Sequence, residues 1–242
     1  MNIAVIFAGG VGSRMHTKTK PKQFLEIHGK PIIVHTIEKF QENAEIDAIT
    51  VACVKDWIPY LTELVKQYNL FKVKKIVPGG DNGQQSIYNG LVAAKEIAGN
   101  EKSIVLIHDG VRPLITSQLI YENIESVKKY GSAITSVKVK ETVLITSGEN
   151  KIDEIPDRSM TRLARAPQSF WLDEILKAHN KAKADGKNDF IDSCSMMTYY
   201  GKELYLVDGP LENIKITTPD DFYTMRALLD AKENAQIYGY EE

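Results

Sequence analysis

The chain has 242 residues, 43% apolar and 26% charged, with 30 Lys plus Arg against 32 Asp plus Glu for a formal net charge of -2. That length buries a substantial core in one large domain or two small ones, and the balanced charge removes the general case for a nucleic-acid binder, which carries a basic excess. No apolar run approaches the roughly 18 residues that span a bilayer, and Met1-Asn2-Ile3-Ala4-Val5-Ile6-Phe7 lacks the basic start and cleavage site of a secretory signal, so a cytoplasmic protein with no membrane insertion is expected.

The opening β-branched run, 3–7, predicts a strand, and Ala8-Gly9-Gly10-Val11-Gly12-Ser13-Arg14-Met15 follows it directly. Three glycines let backbone N–H groups close on an anion, and Lys18, Lys20 and Lys22, the last in Pro21-Lys22-Gln23, supply neutralising charge. A solvated turn is the plainer alternative. Position after the first strand favours phosphate binding, because open α/β sheets take ligands at the carboxyl ends of their strands. This loop is not a P-loop, since Gly12 leads to Ser13-Arg14 rather than Lys-Ser/Thr. A dinucleotide fingerprint is disfavoured by Met15, where that motif needs Gly or Ala.

Helical spacing over 32–41, a strand over 48–54, a helix over 57–68 and a strand over 72–77 come next. The third strand runs into Pro78-Gly79-Gly80-Asp81-Asn82-Gly83-Gln84-Gln85-Ser86 and a helix over 84–97. That segment reads equally as a base or ribose pocket facing a helix N-terminus and as a simple turn capped by Asp81 or Asn82. A strand over 103–107 ends in His108-Asp109-Gly110-Val111-Arg112-Pro113. Asp109 is placed to hold Mg²⁺ beside phosphate oxygens, or to pair with Arg112 and shape a turn; His108 reads as a hydrogen-bonded turn residue before a base.

A helix over 117–129 and a strand over 133–139 complete the alternation, and an arm over 138–170, rich in Arg and turning at Ser147-Gly148-Glu149-Asn150, breaks it. An excursion of that length often reaches a neighbouring subunit. Helices over 171–184 and 219–231 follow, the second with Thr217 or Thr218 as cap ahead of Pro219. Between them, Asp192-Ser193-Cys194-Ser195 and Glu212-Asn213-Ile214-Lys215-Ile216-Thr217 stand out, with Lys215 read in a short apolar strand. The expected fold is one α/β domain over 1–242 with a mainly parallel sheet covered by helices on both faces. Cys53 and Cys194 read as reduced thiols, and the dispersed histidines argue against a zinc site.

Taken in order, Ala-Gly-Gly-x-Gly-x-Arg-Met, Pro-Lys-Gln, Gly-Gly-Asp followed by Ser86, His-Asp-x-x-Arg-Pro, Pro-Gln-x-Phe at 167–170 and Asn-Ile-Lys-Ile-Thr-x-Pro-Asp-Asp resemble the cytidylyltransferases that act on polyol phosphates, methylerythritol-phosphate and ribitol-phosphate enzymes among them. The resemblance runs from Ile3 to about Leu229. It implies a Rossmann-like nucleotidyltransferase fold, a homodimer built by the arm as a β-arm, and transfer of CMP from CTP to a polyol phosphate with Mg²⁺. By position, Arg14 and Lys22 would stabilise the transition state, while Phe7, Ala8, Gly9, Gly10, Gly12, Gly80, Asp81 and Ser86 would hold CTP. Asp109 would bind the metal and, with Arg112, Thr142, Arg158, Asp192 and Lys215, the polyol phosphate, Arg158 reaching across the dimer.

This chain departs from the family at Gly83, where Arg is common, and at Glu212, where Asp is common and a second metal ligand is in question. Val111 before Arg112 resembles the ribitol-phosphate branch, and Ile191-Asp192-Ser193 departs from the Thr-Asp/Glu run of the methylerythritol enzymes, which implies CDP-ribitol for a teichoic-acid or capsular polymer; the methylerythritol branch is the alternative.

Overall fold

The structure, a computed structural model, describes residues 1–10, 15, 20–148 and 150–238. Chain order begins β1 (Asn2–Ala8), a short hairpin of β2 (Glu26–Ile27) and β3 (Lys30–Pro31), α1 (Ile32–Gln41), β4 (Ala48–Cys53), α2 (Ile58–Gln67), β5 (Val73–Pro78) and α3 (Gly83–Ala98). It continues β6 (Ile104–Asp109), α4 (Ser117–Tyr130), β7 (Ser132–Lys138), β8 (Ile145–Thr146), β9 (Ile152–Glu154), β10 (Arg162–Trp171), α5 (Leu172–Ala184), α6 (Ser193–Tyr199), β11 (Leu206–Asp208) and α7 (Pro219–Tyr238).

A seven-stranded sheet has the order β11-β7-β10-β6-β1-β4-β5. Every pairing is parallel except those of β10, which lies antiparallel to both neighbours. β4 and β6 are buried at every residue, as their continuous apolar runs require when helices cover both faces. On one face α1, α2 and α4 bring Ile33, Ile37, Leu61, Ile120 and Ile124 against Ile6, Val51 and Leu106. On the other, α3, α5 and α6 set Leu91, Ile175 and Met196 against Val5, Val105 and Phe170. At about 1.5–3 kcal/mol for each such side chain taken from water, these two layers are the main source of stability.

Local chemistry sets the helix ends. Asn82 accepts from Gln85 N–H at the start of α3, and Thr116 accepts from Leu119 N–H at the start of α4. α4 stops at Gly131, whose φ of +88° is costly for any residue with a Cβ.

Three expectations need correction. The arm is shorter than 138–170: only the stretch between β7 and β10 leaves the sheet, carrying the β8–β9 hairpin, and 162–171 is a sheet strand. Lys215 lies outside any strand; Ile216 N–H donates to Val111 C=O (3.0 Å), and side-chain contacts fix the rest of the segment. The chain also makes α6 where the sequence pattern predicts no helix.

β1 lies between β4 and β6, so the chain winds outward on one side through β4 and β5 and then crosses back to β6 on the other. The carboxyl ends of β1 and β6 therefore border a crevice at the point where winding reverses, the ligand position of open α/β sheets.

Candidate active site

A cavity of about 560 Å³ opens there. Its walls come from the ends of β1 and β6, the loop after β5, the 3-10 turn at Lys22–Phe24, and the segment before α7. Phe7, Ala8, Gly9, Gly10, Lys22, Gly80, Asp81, Ser86, Asp109 and Lys215 all line it, so most of the predicted nucleotide-binding and catalytic positions converge. Gly12 and Arg14 lie outside the described residues.

The two glycine loops pack backbone to backbone. A Cβ on Gly9 would come within 2.5 Å of Ser86 Oγ, and one on Gly79 within 3.1 Å of Gly9 Cα. Ser86 is buried, accepts from Gly80 N–H (3.0 Å) and donates to Asn82 C=O (2.9 Å), so its hydroxyl builds the second loop from inside. Gln23, equally buried, donates to Ala8 C=O (2.7 Å) and pins the first. Neither loop is left to hold its shape by glycine alone.

Charge is concentrated at the β6 end. Asp109 Oδ1 takes Lys215 Nζ at 2.7 Å, and Oδ2 takes the Arg112 guanidinium at 3.0 and 3.1 Å. Burial pushes the Asp109 carboxyl up, but Arg112 and then Lys215 outweigh it and hold it at about 2, ionised throughout the neutral range. The Asp109–Arg112 pair that the sequence left as an alternative is thus present, and Asp109 still faces the cavity. Arg112 sits behind it, donating also to Asn213 C=O (2.7 Å). Lys22 Nζ donates to Ile216 C=O (2.9 Å), tying the Pro-Lys-Gln turn to the Asn-Ile-Lys segment.

His108 does not line the cavity; it is fully buried against Phe40 with Nε2 on Arg112 C=O (3.0 Å). Burial pushes its pKa down to about 4, which suits a neutral turn residue and not a base working near pH 7. Among the described residues no histidine borders the cavity, and no three His, Cys, Asp or Glu side chains gather as a preformed metal site. Cys53 and Cys194 are free thiols.

The remaining predicted residues lie elsewhere in the chain. Asp192 is corrected to a structural role: Oδ1 accepts from Ser195 N–H (2.8 Å) in a capping box on α6, and Oδ2 accepts from Gln168 Nε2 (2.9 Å). With both oxygens engaged away from the cavity, it is not positioned to receive a ligand there. Thr142 is exposed on the arm. Arg158 borders a separate open hollow with Lys138, Val139, Asp157 and Ser159, its guanidinium 3.4 Å from Lys140 C=O. Glu212 is exposed and Gly83 lines the cavity with open space where a Cβ would stand. Lys55 and Thr217 also line it, and Asn213 anchors its edge; their neighbours in sequence gave no signal beyond the Asn-Ile-Lys motif.

Glycine-lined backbone, the lysines Lys22, Lys55 and Lys215, and an ionised carboxylate suit the capture of a polyanion and displacement at phosphorus by a second anion, with no covalent intermediate required.

Known proteins fit this geometry. The family model for 2-C-methyl-D-erythritol 4-phosphate cytidylyltransferase (IspD) matches residues 2–231. A ribitol-5-phosphate cytidylyltransferase of Streptococcus agalactiae serotype V is 58% identical over 99% of both chains, and one of Vibrio parahaemolyticus is 53% identical over 99% of this chain and 100% of the relative. A 2-C-methyl-D-erythritol 4-phosphate cytidylyltransferase of Clostridium acetobutylicum is 43% identical over 95% of this chain and 97% of its own. Among solved structures, 4-diphosphocytidyl-2C-methyl-D-erythritol synthase of Anaerococcus prevotii superposes with a TM-score of 0.81 at 27% identity, covering 95% of this chain and 96% of that one. The chain therefore belongs to the IspD family of cytidylyltransferases.

Proposed function

We propose that this enzyme joins CTP and D-ribitol 5-phosphate to give CDP-ribitol and pyrophosphate. The observation that carries the reading is the convergence of Lys22, Lys215 and Asp109, the last backed by Arg112, on one cavity between two glycine loops, in a chain 58% identical to ribitol-5-phosphate cytidylyltransferases. An oxygen of the acceptor phosphate attacks the α-phosphorus of CTP; the bond from that phosphorus to the bridging oxygen breaks, and pyrophosphate carries away the electron pair. Bringing two anions together is the main obstacle, so fixed cations do most of the work.

In this reading the N–H groups of Ala8–Gly10 and of 81–83 receive the nucleotide, while Gly80 N–H stays on Ser86 Oγ and shapes the second loop. Lys22, held by Ile216 C=O, meets the charge that grows on the phosphoryl group and leaving group. Lys215, paired with Asp109 yet only half-buried, turns toward the acceptor phosphate. The donor chemistry fits Mg²⁺: a hard cation commonly takes one or two carboxylates plus substrate phosphate oxygens, and Asp109 offers one carboxylate kept ionised at the cavity wall. Mg²⁺ bound by Asp109 would supply neutralisation of the triphosphate. Arg112 keeps Asp109 charged and oriented whether or not Lys215 turns away.

We further propose a homodimer in which the arm of one protomer completes the acceptor site of its partner. Leu144, Ile145, Ile152, Ile155 and Met160 are all exposed on that arm, an apolar display that water does not favour. Arg158, remote from its own cavity, then contributes to the other. CDP-ribitol is an activated donor, so the consuming reaction would pass ribitol phosphate to a growing polymer of the teichoic-acid or capsular kind, and the reaction is assigned to the cytoplasm.

The test is pyrophosphate release with Mg²⁺ and CTP, comparing ribitol 5-phosphate with 2-C-methyl-D-erythritol 4-phosphate, with ATP, GTP and UTP as controls. Turnover with CTP and ribitol 5-phosphate supports the assignment. Preference for the branched substrate replaces the acceptor while keeping the chemistry.

A further inference from the structure

Arg165 stands at the same sheet edge as Asp109, outside every motif that marks the site in the sequence. The antiparallel register sets Gln168 opposite Ile107 and Ala164 opposite Ser136. Arg165 falls in the irregular stretch between these two pairings, where β10 passes from β6 toward the root of the arm. Its guanidinium is half-buried and, among the described residues, donates once, to Asn213 C=O at 2.8 Å. Arg112 holds that same oxygen at 2.7 Å. Two like charges thus converge on one neutral acceptor.

The local charge count does not close. Asp109 is already matched by Arg112 and Lys215, and among the described residues no carboxylate lies within 4.0 Å of Arg165. Burial, and then Arg112, lower the pKa of Arg165 from its usual value, which marks an environment short of negative charge. A guanidinium carries five N–H donors in a planar fork, and a single carbonyl uses one. Leaving a partly buried cation unmatched is unfavourable, and a bound anion relieves that.

Resting on the reaction proposed above, we infer that Arg165 binds the phosphomonoester of the acceptor, together with Lys215. Lys215, two residues beyond Asn213, lines the cavity, and Arg165 stands behind that lining on the Asn213 carbonyl that Arg112 also holds. The fork of Arg165 suits a terminal phosphate with three free oxygens, which the acceptor's phosphomonoester presents, whereas the α-phosphate of CTP has two.

Arg165→Gln keeps a donor for Asn213 C=O and removes the charge. It should raise KM for ribitol 5-phosphate at least about tenfold, as loss of a charged hydrogen bond does, while the Kd for CTP with Mg²⁺ stays within about twofold by calorimetry. Arg165→Lys, charged but without the fork, should give a smaller rise confined to the polyol phosphate. A brace that merely holds the loop would shift both substrates alike and lower Tm, and that pattern, or an unchanged KM in both variants, overturns the inference. If Arg165→Gln does not fold, Arg165→Lys decides on the same two constants: a rise confined to the polyol phosphate supports the role, and equal shifts or none overturn it. A wild-type enzyme active on ribitol 5-phosphate with variants unaffected removes Arg165 alone. A wild-type protein that neither turns over nor binds ribitol 5-phosphate or 2-C-methyl-D-erythritol 4-phosphate removes the proposed reaction and this residue's role together.

Discussion

Replacing Asp109 by Asn tests the electrostatics of the site without any substrate present. The carboxylate is 6% exposed, Arg112 beside it 7%, and Lys215 40%. Asparagine retains an acceptor for Arg112 but not the charge, so a buried guanidinium loses its counter-ion while Lys215 can turn to water. Breaking a buried pair by removing one partner costs about 3–5 kcal/mol, and the freedom of Lys215 places this case near the lower end. The shifted acidity gives an independent figure: holding the carboxyl at about 2 against 3.8 corresponds to about 2–3 kcal/mol. Because the folded value is the lower one, that contribution is complete above about pH 4 and fades as pH falls through about 2. Urea unfolding at pH 7 should therefore show a lower midpoint at unchanged m, equivalent to about 3 kcal/mol. Asp109→Asn combined with Arg112→Met should lose less than the sum of the single changes. A loss under about 1 kcal/mol for Asp109→Asn would refute the view that this triad is a coupled, buried unit.

The glycine loops give a paired test: Gly9→Ala drives a methyl into Ser86 Oγ and should weaken CTP binding at least about tenfold, whereas Gly83→Ala, with nothing within 4 Å, should leave it within about twofold by calorimetry. Lys22→Ala should lower kcat about a hundredfold with CTP affinity kept within about tenfold, since contacts made in the transition state act on kcat; an unchanged kcat excludes it from the chemistry. Arg158→Ala should raise KM for the polyol phosphate more than for CTP, and mixing it with Lys22→Ala subunits should recover activity in verified heterodimers if the arm serves its partner; no recovery assigns the site to one chain. His108 has a folded pKa of about 4 against 6.5, so the unfolded chain protonates first and stability drains as pH falls between those values, by up to about 1.4 kcal/mol per pH unit. His108→Gln, which keeps a donor to Arg112 C=O, should flatten that slope in urea titrations from pH 7 to 5, and identical slopes would contradict the assignment.

Much of this architecture was legible because its punctuation is local. The expected helix 32–41 coincides with α1, since Pro31 bars the turn before it; Thr116 and Gly131 bracket α4 in the same way. The first glycine loop and the His-Asp-x-x-Arg-Pro turn were legible as site candidates because they end the buried strands β1 and β6, and the second glycine loop because it joins the partly covered β5 to a helix. β10 was not. Its first residues, Arg162 to Arg165, are only partly covered, and burial begins at Ala166, so half of a sheet strand reads as polar arm. Lys215 misled in the opposite sense: Ile214 and Ile216 imitate a strand, yet Ile216 instead joins Ile32, Val111, Leu114 and Met225 in a small core of its own. The meeting of Arg112 and Arg165 on Asn213 spans 101 and 48 residues of sequence, and no spacing rule reports such a contact. Asp192 carried the right chemistry for a ligand and was claimed by a helix N-terminus.

Where the chain leaves and re-enters the sheet, Lys138 and Arg162 are paired partners. The whole excursion between them is therefore an insertion across a gap that one tight turn would bridge, and its length and side chains can drift without altering the register of β7, β10 or β6. The two glycine loops have no such latitude, being interlocked at Gly9, Gly79 and Ser86. Inheritance can thus treat the two parts separately: the glycine loops are held fixed by steric necessity, while the arm is free to be rewritten.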